Sequence, residues 1–421
     1  MESLVTIFDT FAAILGVVLT FWWIYTPILL WFLFLNLLES YNRHKYISGL
    51  KWVLLEVRFP PDAHRSLKAM EQVFASFHTI PPIPVRRKDA LLKGKVPDWL
   101  TLEIVSISGD IKFFVRTLES YRNYIEAQLY GQFPEVEIEQ AEDYLTNLPA
   151  HLPTEGYDLT GAELGLIKED AYPIRTYYEF EEQGSGLGDV KRIDPLASLA
   201  EFFSTLSSGE YAAIQYNISA TGGDWVKKGQ AVIDKLMGKA PKPEATFADQ
   251  LFNGISFLLG IIPGLGGGEE KKEEKKEEGK KFADLSPGTQ NIIKAIEVSF
   301  AKLAFNTGIR FIYIAPKEQF NLGRFTGMMG PFKQFASAAL NGFKPVFSTF
   351  AAGIFKKRKE FNNKILLFDR FKNRSFPENP FVLTIEELAT VFHFPDVGVK
   401  TRALPRIEAK KGEPPANLPV S

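Results

Sequence analysis

The plainest pattern in the chain is an apolar run with no polar face. From Thr10 to Leu38 there is no charged side chain for 29 residues, between Asp9 and Glu39. As a helix rising 1.5 Å per residue, that run reaches about 43 Å against a hydrocarbon core of ~30 Å, so it predicts one membrane-spanning helix over about residues 10–38. Two spans would need about 40 apolar residues and a polar turn. The only interruption is Pro27, which a membrane helix accommodates as a kink. Trp22, Trp23, Tyr25 and Trp31 sit too centrally to form an interfacial belt. A cleaved signal peptide fits less well, because its apolar region is about 7–15 residues behind a basic head, and this head carries Glu2 and Asp9. Arg43, Lys45 and Lys51 follow the run while the tail before it has no Lys or Arg. The positive-inside rule then puts the N-terminus outside and the body in the cytoplasm.

Beyond the run, the apolar positions alternate between strand and helix periods. Trp52–Arg58 reads as a strand, and Ser66–Phe77 sets Leu67, Met70, Val73, Phe74 and Phe77 on one helical face. Trp99–Ser106 and Ile111–Arg116 read as strands joined by the tight turn Ser108-Gly109-Asp110. Leu118–Tyr130 is helical and Val136–Gln140 is a fourth strand. The order β-α-β-β-α-β predicts a ferredoxin-like split, an antiparallel sheet covered on one face by two helices. The loop Pro81–Lys95 carries Arg86, Arg87, Lys88, Lys93 and Lys95, a solvated surface or a contact for phosphate or lipid headgroups.

A second α+β unit begins near Tyr157. It has strands at Tyr157–Lys168, Ile174–Phe180 and Tyr211–Ala220, a helix at Pro195–Leu206, and a helix starting at Trp225. Residues 241–286 then interrupt it with Pro241-Lys-Pro243, an apolar stretch from Phe247 to Leu265, three glycines and the paired Glu/Lys run from Glu269 to Lys281. Leu251–Leu265 is too short for a span; an in-plane amphipathic helix or a buried core helix both fit, and the charged run reads as a tether. The unit resumes with a helix near Gln290–Phe305 and a strand at Arg310–Ala315. Residues 320–356 space Phe325, Phe332, Phe335, Phe343, Phe347 and Phe350 as a broken amphipathic helix facing an interior.

Further on, Thr384 and Glu387 form a capping box opening a short helix that ends before Pro395. The tail to Pro419 is proline-rich and extended. The predicted fold class is therefore α+β: a transmembrane helix, two ferredoxin-like-type α/β sandwich domains, and an extended Pro-rich tail. The expected segments are 1–46, 47–150, 151–395 with the insertion 241–286, and 396–421.

Charge and chemistry narrow the function. The net charge of −1 hides an excess of basic residues in 300–421, 19 Lys/Arg against 9 Asp/Glu, a segregation that favours partner binding. The cluster Lys356-Lys357-Arg358-Lys359, with Arg43, Lys45 and Lys51, is the candidate contact for membrane or nucleic-acid phosphate. With no cysteine, there is no disulfide, thiolate metal site or thiol nucleophile. The five histidines are scattered at 44, 64, 78, 151 and 393. No G-x-x-x-x-G-K-[ST], HExxH or G-x-S-x-G occurs, so neither a catalytic residue, a cofactor nor a metal is expected.

The hairpin around Ile104, "YIEAQLYGQFPEVEIEQAEDY" from Tyr124 to Tyr144, "TIEELATVFHFP" from Thr384 to Pro395, and "GEPPANLP" from Gly412 to Pro419 together resemble the membrane-bound N-terminal region of TraG-like coupling proteins and related HerA-like ATPases of conjugative type IV secretion. The resemblance implies an anchor and docking domains ahead of a RecA-like motor, here expected to be encoded separately. It implies a non-enzymatic docking subunit at the bacterial plasma membrane, recruiting a P-loop ATPase, with homo-oligomeric assembly. Glu386, Glu387, His393, Pro414, Pro415 and Pro419 are the candidate docking residues. The alternative is a membrane-tethered module that binds nucleic acid or anionic lipid through the basic C-terminal third.

Overall fold

The computed structural model describes residues 22–60, 66–80, 86–182, 191–192, 194–239 and 282–395, with Gly16 and Thr20. Residues 241–281 of the expected insertion 241–286 and the tail from 396 to 421, with Pro414, Pro415 and Pro419, lie outside the described residues. The apolar run enters the body as a helix, α1 (Trp22–Ser48). The expected membrane span is not found. Among the described residues no helix is long and apolar enough to cross a membrane. The uncharged part of α1 runs only from Trp22 to Leu38, about 25 Å of helix, and Thr26, Pro27 and Asn36 interrupt its apolar character, whereas a span needs ~20 predominantly apolar residues.

The β-α-β-β-α-β order is realised by β1 (Trp52–Arg58), α2 (Leu67–Phe77), β2 (Leu100–Ile107), β3 (Asp110–Leu118), α4 (Arg122–Gln132) and β4 (Glu137–Gln140), with a short helix α3 (Arg87–Lys93) inside the expected loop. The hydroxyl of Ser66 caps α2 by accepting from Lys68 N–H. Ser108 and Gly109 both take positive φ, 54° and 94°, the pairing a two-residue hairpin turn demands. The second half repeats the scheme with β5 (Tyr157–Leu166), α5 (Ala197–Ser204), β6 (Tyr211–Ala220), the hairpin of α6 (Asp224–Leu236) and α7 (Pro287–Phe300), β7 (Ala304–Pro316), α8 (Gly323–Met329) and β8 (Phe343–Ser348). Then come α9 (Lys356–Lys372), β9 (Phe381–Thr384) and α10 (Ile385–Val391).

These halves do not form two separate sandwiches. They make one antiparallel sheet of nine strands in the order β8-β5-β7-β6-β2-β3-β1-β4, with β9 beside β7. The join is the pairing of β2 with β6 from Leu100↔Ile218 to Ile107↔Tyr211. Apolar residues of both strands bury this edge on one face, and on the other Thr101 and Glu103 bond across it to Asn217 and Gln215.

Two other expectations fail for local reasons. Ile174–Phe180 is not a strand, because its amides are held by side chains: Ile174 N–H donates to the Glu387 carboxylate and Tyr177 N–H to the Thr390 hydroxyl. The phenylalanine-rich stretch is not one broken helix. It divides into α8, a 3-10 turn over Gly330–Phe335 and strand β8, and Phe332, Phe335 and Phe343 pack edge to face.

One face of the sheet is covered by α2, α4, α5, α8 and α10 over a core that includes Leu102, Ile214, Phe311 and Phe392. The other carries α9 and the segment Tyr144–Leu152 over Leu54, Phe114, Leu159 and Ile312. On this second face the apolar layer is broken by a polar row. Glu163, Arg310, Gln215 and Glu103 lie side by side in register on β5, β7, β6 and β2.

Candidate functional site

The polar row is closed by the end of α9. There the helix stops in a Schellman turn: Arg374 N–H donates to Phe371 O and Ser375 N–H to Arg370 O. The position that such turns usually give to glycine holds Arg374, at φ 50°, a conformation that costs an ordinary side chain ~1–2 kcal/mol. What holds it there is charge. Arg374 Nε lies 2.7 Å from Glu103 Oε1 and Nη1 lies 2.6 Å from Asp143 Oδ2. Beside it Arg310 Nη2 donates to Glu163 Oε1 at 2.6 Å, and Arg370 Nη1 to Glu163 Oε2 at 2.7 Å. Gln215 Nε2 donates to Glu103 Oε1 at 2.8 Å and completes the row.

Over this row, between the end of α9 and the C-terminal turns of α1, is a cavity of about 680 Å³. Arg43, Arg116, Arg310, Arg370, Lys372 and Arg374 line it against Asp143, Glu163, Asp369 and Glu378, with Trp52, Trp99 and Phe376 as aromatic walls and Ser40, His44 and Ile47 from α1. Most of these cations have a carboxylate or carbonyl partner. Arg116 is different. Its Cζ sits 4.0 Å from the Trp52 ring centroid, and its buried Nη1 has no hydrogen-bond acceptor among the described residues. The indole Nε1 of Trp52 and that of Trp99 are likewise buried without acceptors, and the two rings lie 4.9 Å apart.

Three buried N–H donors without acceptors among the described residues thus belong to residues that line one cavity, and leaving a buried donor unmade costs ~1–3 kcal/mol each. Burial, and secondarily the charge of Arg374, push the Arg116 guanidinium down to about 10, against the opposing pull of Glu103 and Asp143. An anion at this point would supply the missing acceptors and the missing counter-charge together. Arg374 itself is held above its ordinary value: burial opposes this, but the carboxylates of Glu103 and Asp143 outweigh it. Burial likewise works against the Asp143 carboxylate, yet Arg374 draws it below its ordinary range. Both are committed to the framework.

Arg43 is brought to this cavity, whereas the other basic residues singled out in the sequence are not. Lys45 is exposed, and Lys51 faces Glu119 at 3.8 Å. Lys356, Lys357, Arg358 and Lys359 form the exposed first turn of α9, about 24 Å of helix from its other end. Lys356 faces Glu360 at 3.7 Å there, and Lys357 lines a separate shallow cavity with Glu155 and Lys364.

The expected docking residues Glu386, Glu387 and His393 are corrected to interior positions, all under a tenth exposed. Glu387 accepts from Thr384 N–H and Ile174 N–H, and burial raises its carboxyl above the usual range against those bonds. Glu386 accepts from Lys302. His393 sets Nδ1 2.9 Å from Ala389 O and Nε2 2.9 Å from Asp194 Oδ1. None of the three presents a polar group to a partner.

Sequence reasoning missed Arg116, because a charged residue alternating with apolar ones reads as the solvent side of a strand. The signal available was aromatic: Trp52 opens β1 and Trp99 immediately precedes β2, the two strands that flank β3. Among the described residues no group of acidic or histidine side chains is placed to hold a metal.

A family model described as a domain of unknown function, DUF8128, matches residues 45–405. Trp52, Trp99, Arg116, Glu103 and Arg374 all fall inside that match. No curated protein matches the chain.

Proposed function

The chain belongs to the DUF8128 family, and we propose that it is a binding module whose cavity beneath α1 takes a phosphate or other multivalent oxyanion. The single observation that carries this reading is that three buried N–H donors without acceptors among the described residues, on Arg116, Trp52 and Trp99, belong to side chains lining one cavity. Water satisfies an isolated orphan donor, but an oxyanion offers several acceptor oxygens to several donors at once. Arginine is suited to that geometry through its planar fork. Packing of Arg116 on the Trp52 ring and of Trp52 on Trp99 holds the donors in place, so the site is preorganised and loses little entropy on binding.

The reading is of binding rather than turnover. At the cavity Asp143 is engaged by Arg374 and Glu163 by Arg310 and Arg370, which leaves these two occupied as counter-ions rather than poised as bases. The docking-subunit reading draws nothing from Glu386, Glu387 or His393 in their interior positions. Calorimetric titration with inorganic phosphate tests the proposal. Saturable binding is expected for the full chain, weakened about 10- to 100-fold by Arg116→Met, in keeping with ~1.5–3 kcal/mol for a charge-assisted hydrogen bond. Equal binding by both proteins, or none, would overturn it.

A further inference from the structure

At the end of α9 away from the cavity, an apolar loop tip adjoins a cluster of cations. The chain enters the helix through Gly353-Ile354-Phe355, and Lys356, Lys357, Arg358 and Lys359 follow without a break. Ile354 is 79% exposed and Phe355 74%, the highest values for large hydrophobic side chains among the described residues. Further along α9, Phe361 and Ile365 are also exposed and, four apart, share one helical face. Phe355 takes φ 66°, a conformation uncommon for any side chain. It holds the N-cap position without a side-chain bond, where Ser, Thr, Asp or Asn would stabilise the helix. Four cations in the first turn also oppose the helix dipole. Between Gly353 and Ile365 the sole acidic residue is Glu360, which Lys356 faces at 3.7 Å. The stability of α9 thus accounts for neither the tip nor its charge.

We infer that this end of α9 docks on the surface of an anionic phospholipid bilayer, with Ile354 and Phe355 entering the headgroup boundary and the four cations meeting lipid phosphates. Charge complementarity and layering decide for this occupant. A bilayer presents anionic oxygens in one layer with hydrocarbon directly beneath, the order in which the cations and the tip stand. Interfacial segments bind by this pairing of buried apolar area with attraction to anionic lipid, and lysine stems lie along apolar surface while their heads reach the charged layer. Nucleic acid would neutralise the cations and leave Ile354 in water. The exposed apolar residues of α1 lack this chemistry, since no charged residue stands among them from Trp22 to Leu38.

The chain has no cysteine, so Ile354→Cys in the full chain takes the environment-sensitive fluorophore acrylodan at the tip alone. Tyr130→Cys, at an exposed position of α4 on the other face of the sheet, is the reference. Vesicles of phosphatidylcholine mixed with phosphatidylserine are expected to shift emission at 354 to the blue saturably, leave 130 unmoved and lose effect as salt is raised. Each Lys or Arg near an anionic surface is worth about fivefold in affinity. Lys357→Gln with Lys359→Gln should therefore raise the half-saturating lipid concentration about 25-fold, and pure phosphatidylcholine vesicles should be at least that much weaker. Phe355→Gly, which suits the positive φ, should leave the urea midpoint unchanged or higher while weakening the vesicle response by about tenfold.

Equal responses to the two vesicle compositions, or a response indifferent to Lys357→Gln with Lys359→Gln, would overturn the inference. Sedimentation of the chain with vesicles without a shift at 354 would give membrane contact to another surface and overturn it. A shift at 354 produced by duplex DNA and by neither vesicle would assign the cluster to nucleic acid and overturn it as well. Phosphate binding at the cavity is measured separately, so it stands or falls independently of these outcomes.

Discussion

Arg374 and Glu103 stand 271 positions apart in the chain and form one buried ion pair, Nε to Oε1 at 2.7 Å, that fastens the end of α9 to the centre of the sheet. Glu103 has no exposed surface and Arg374 almost none. Removing one partner of such a pair strands the other charge in the interior, at about 3–5 kcal/mol. Arg374→Met is therefore expected to lower the unfolding free energy by that amount in urea titration. Arg374→Gly, which relieves the positive φ, should recover only ~1 kcal/mol of it.

Trp99→Phe separates function from stability. The variant keeps an aromatic ring against Trp52 and Phe376 and deletes a buried donor that has no acceptor among the described residues. Stability measured by thermal melting should be unchanged or higher by up to about 1 kcal/mol, while phosphate affinity falls by about tenfold. A loss of both together would mean that the indole N–H serves the fold instead.

The seat of α1 depends on Gly94. This residue ends α3 at φ 65°, and a Cβ there would lie 2.0 Å from the backbone oxygen of Asn42. Gly94→Ala is expected to lift α1 from α3 at a cost of at least ~1–2 kcal/mol. Trypsin cleavage at Lys45 and Lys51, followed by mass spectrometry, should then accelerate about tenfold, as local opening governs access.

Acid should loosen the same framework. The Asp143 carboxyl is drawn below its ordinary 3.8 by Arg374, against burial. A depressed carboxyl contributes stability that is present above 3.8 and lost as pH falls through its folded value. Asp143→Asn should therefore be less stable than the natural chain at pH 6, and the gap should close below pH 3.8 in chemical denaturation. A gap independent of pH would show that the carboxylate charge is not what Arg374 holds.

Where the fold was legible, one strand or one turn carried its own signal. Trp52–Arg58 and Tyr211–Ala220 were bounded correctly by alternation and apolar content, the Ser108-Gly109 hairpin by its turn residues, and the Thr384–Glu387 capping box by spacing alone. What was not legible depends on partners remote in sequence. Nothing near Leu100 or Ile218 announces that β2 and β6 share an edge, so two sandwiches were expected instead of one sheet. Glu386 and Glu387 read as surface acids because their partners, Lys302 and Ile174, are far upstream. The apolar run was read as a span from the absence of charge, although the described helix holds an uncharged stretch of only Trp22–Leu38. Arg116 is read only as the end of a strand and is roofed by Trp52.

The oxyanion site is tested most directly by the indole N–H resonances of the full chain during titration with inorganic phosphate. The sequence has six tryptophans, and the Nε1–H groups of Trp52 and Trp99, each assigned by a Trp→Phe variant, are the reporters. The account predicts that these two move saturably and together, that Trp225 in its separate cluster does not move, and that Arg116→Met abolishes the response. Unmoved signals from Trp52 and Trp99 at saturating phosphate, or equal shifts at all six, would contradict it.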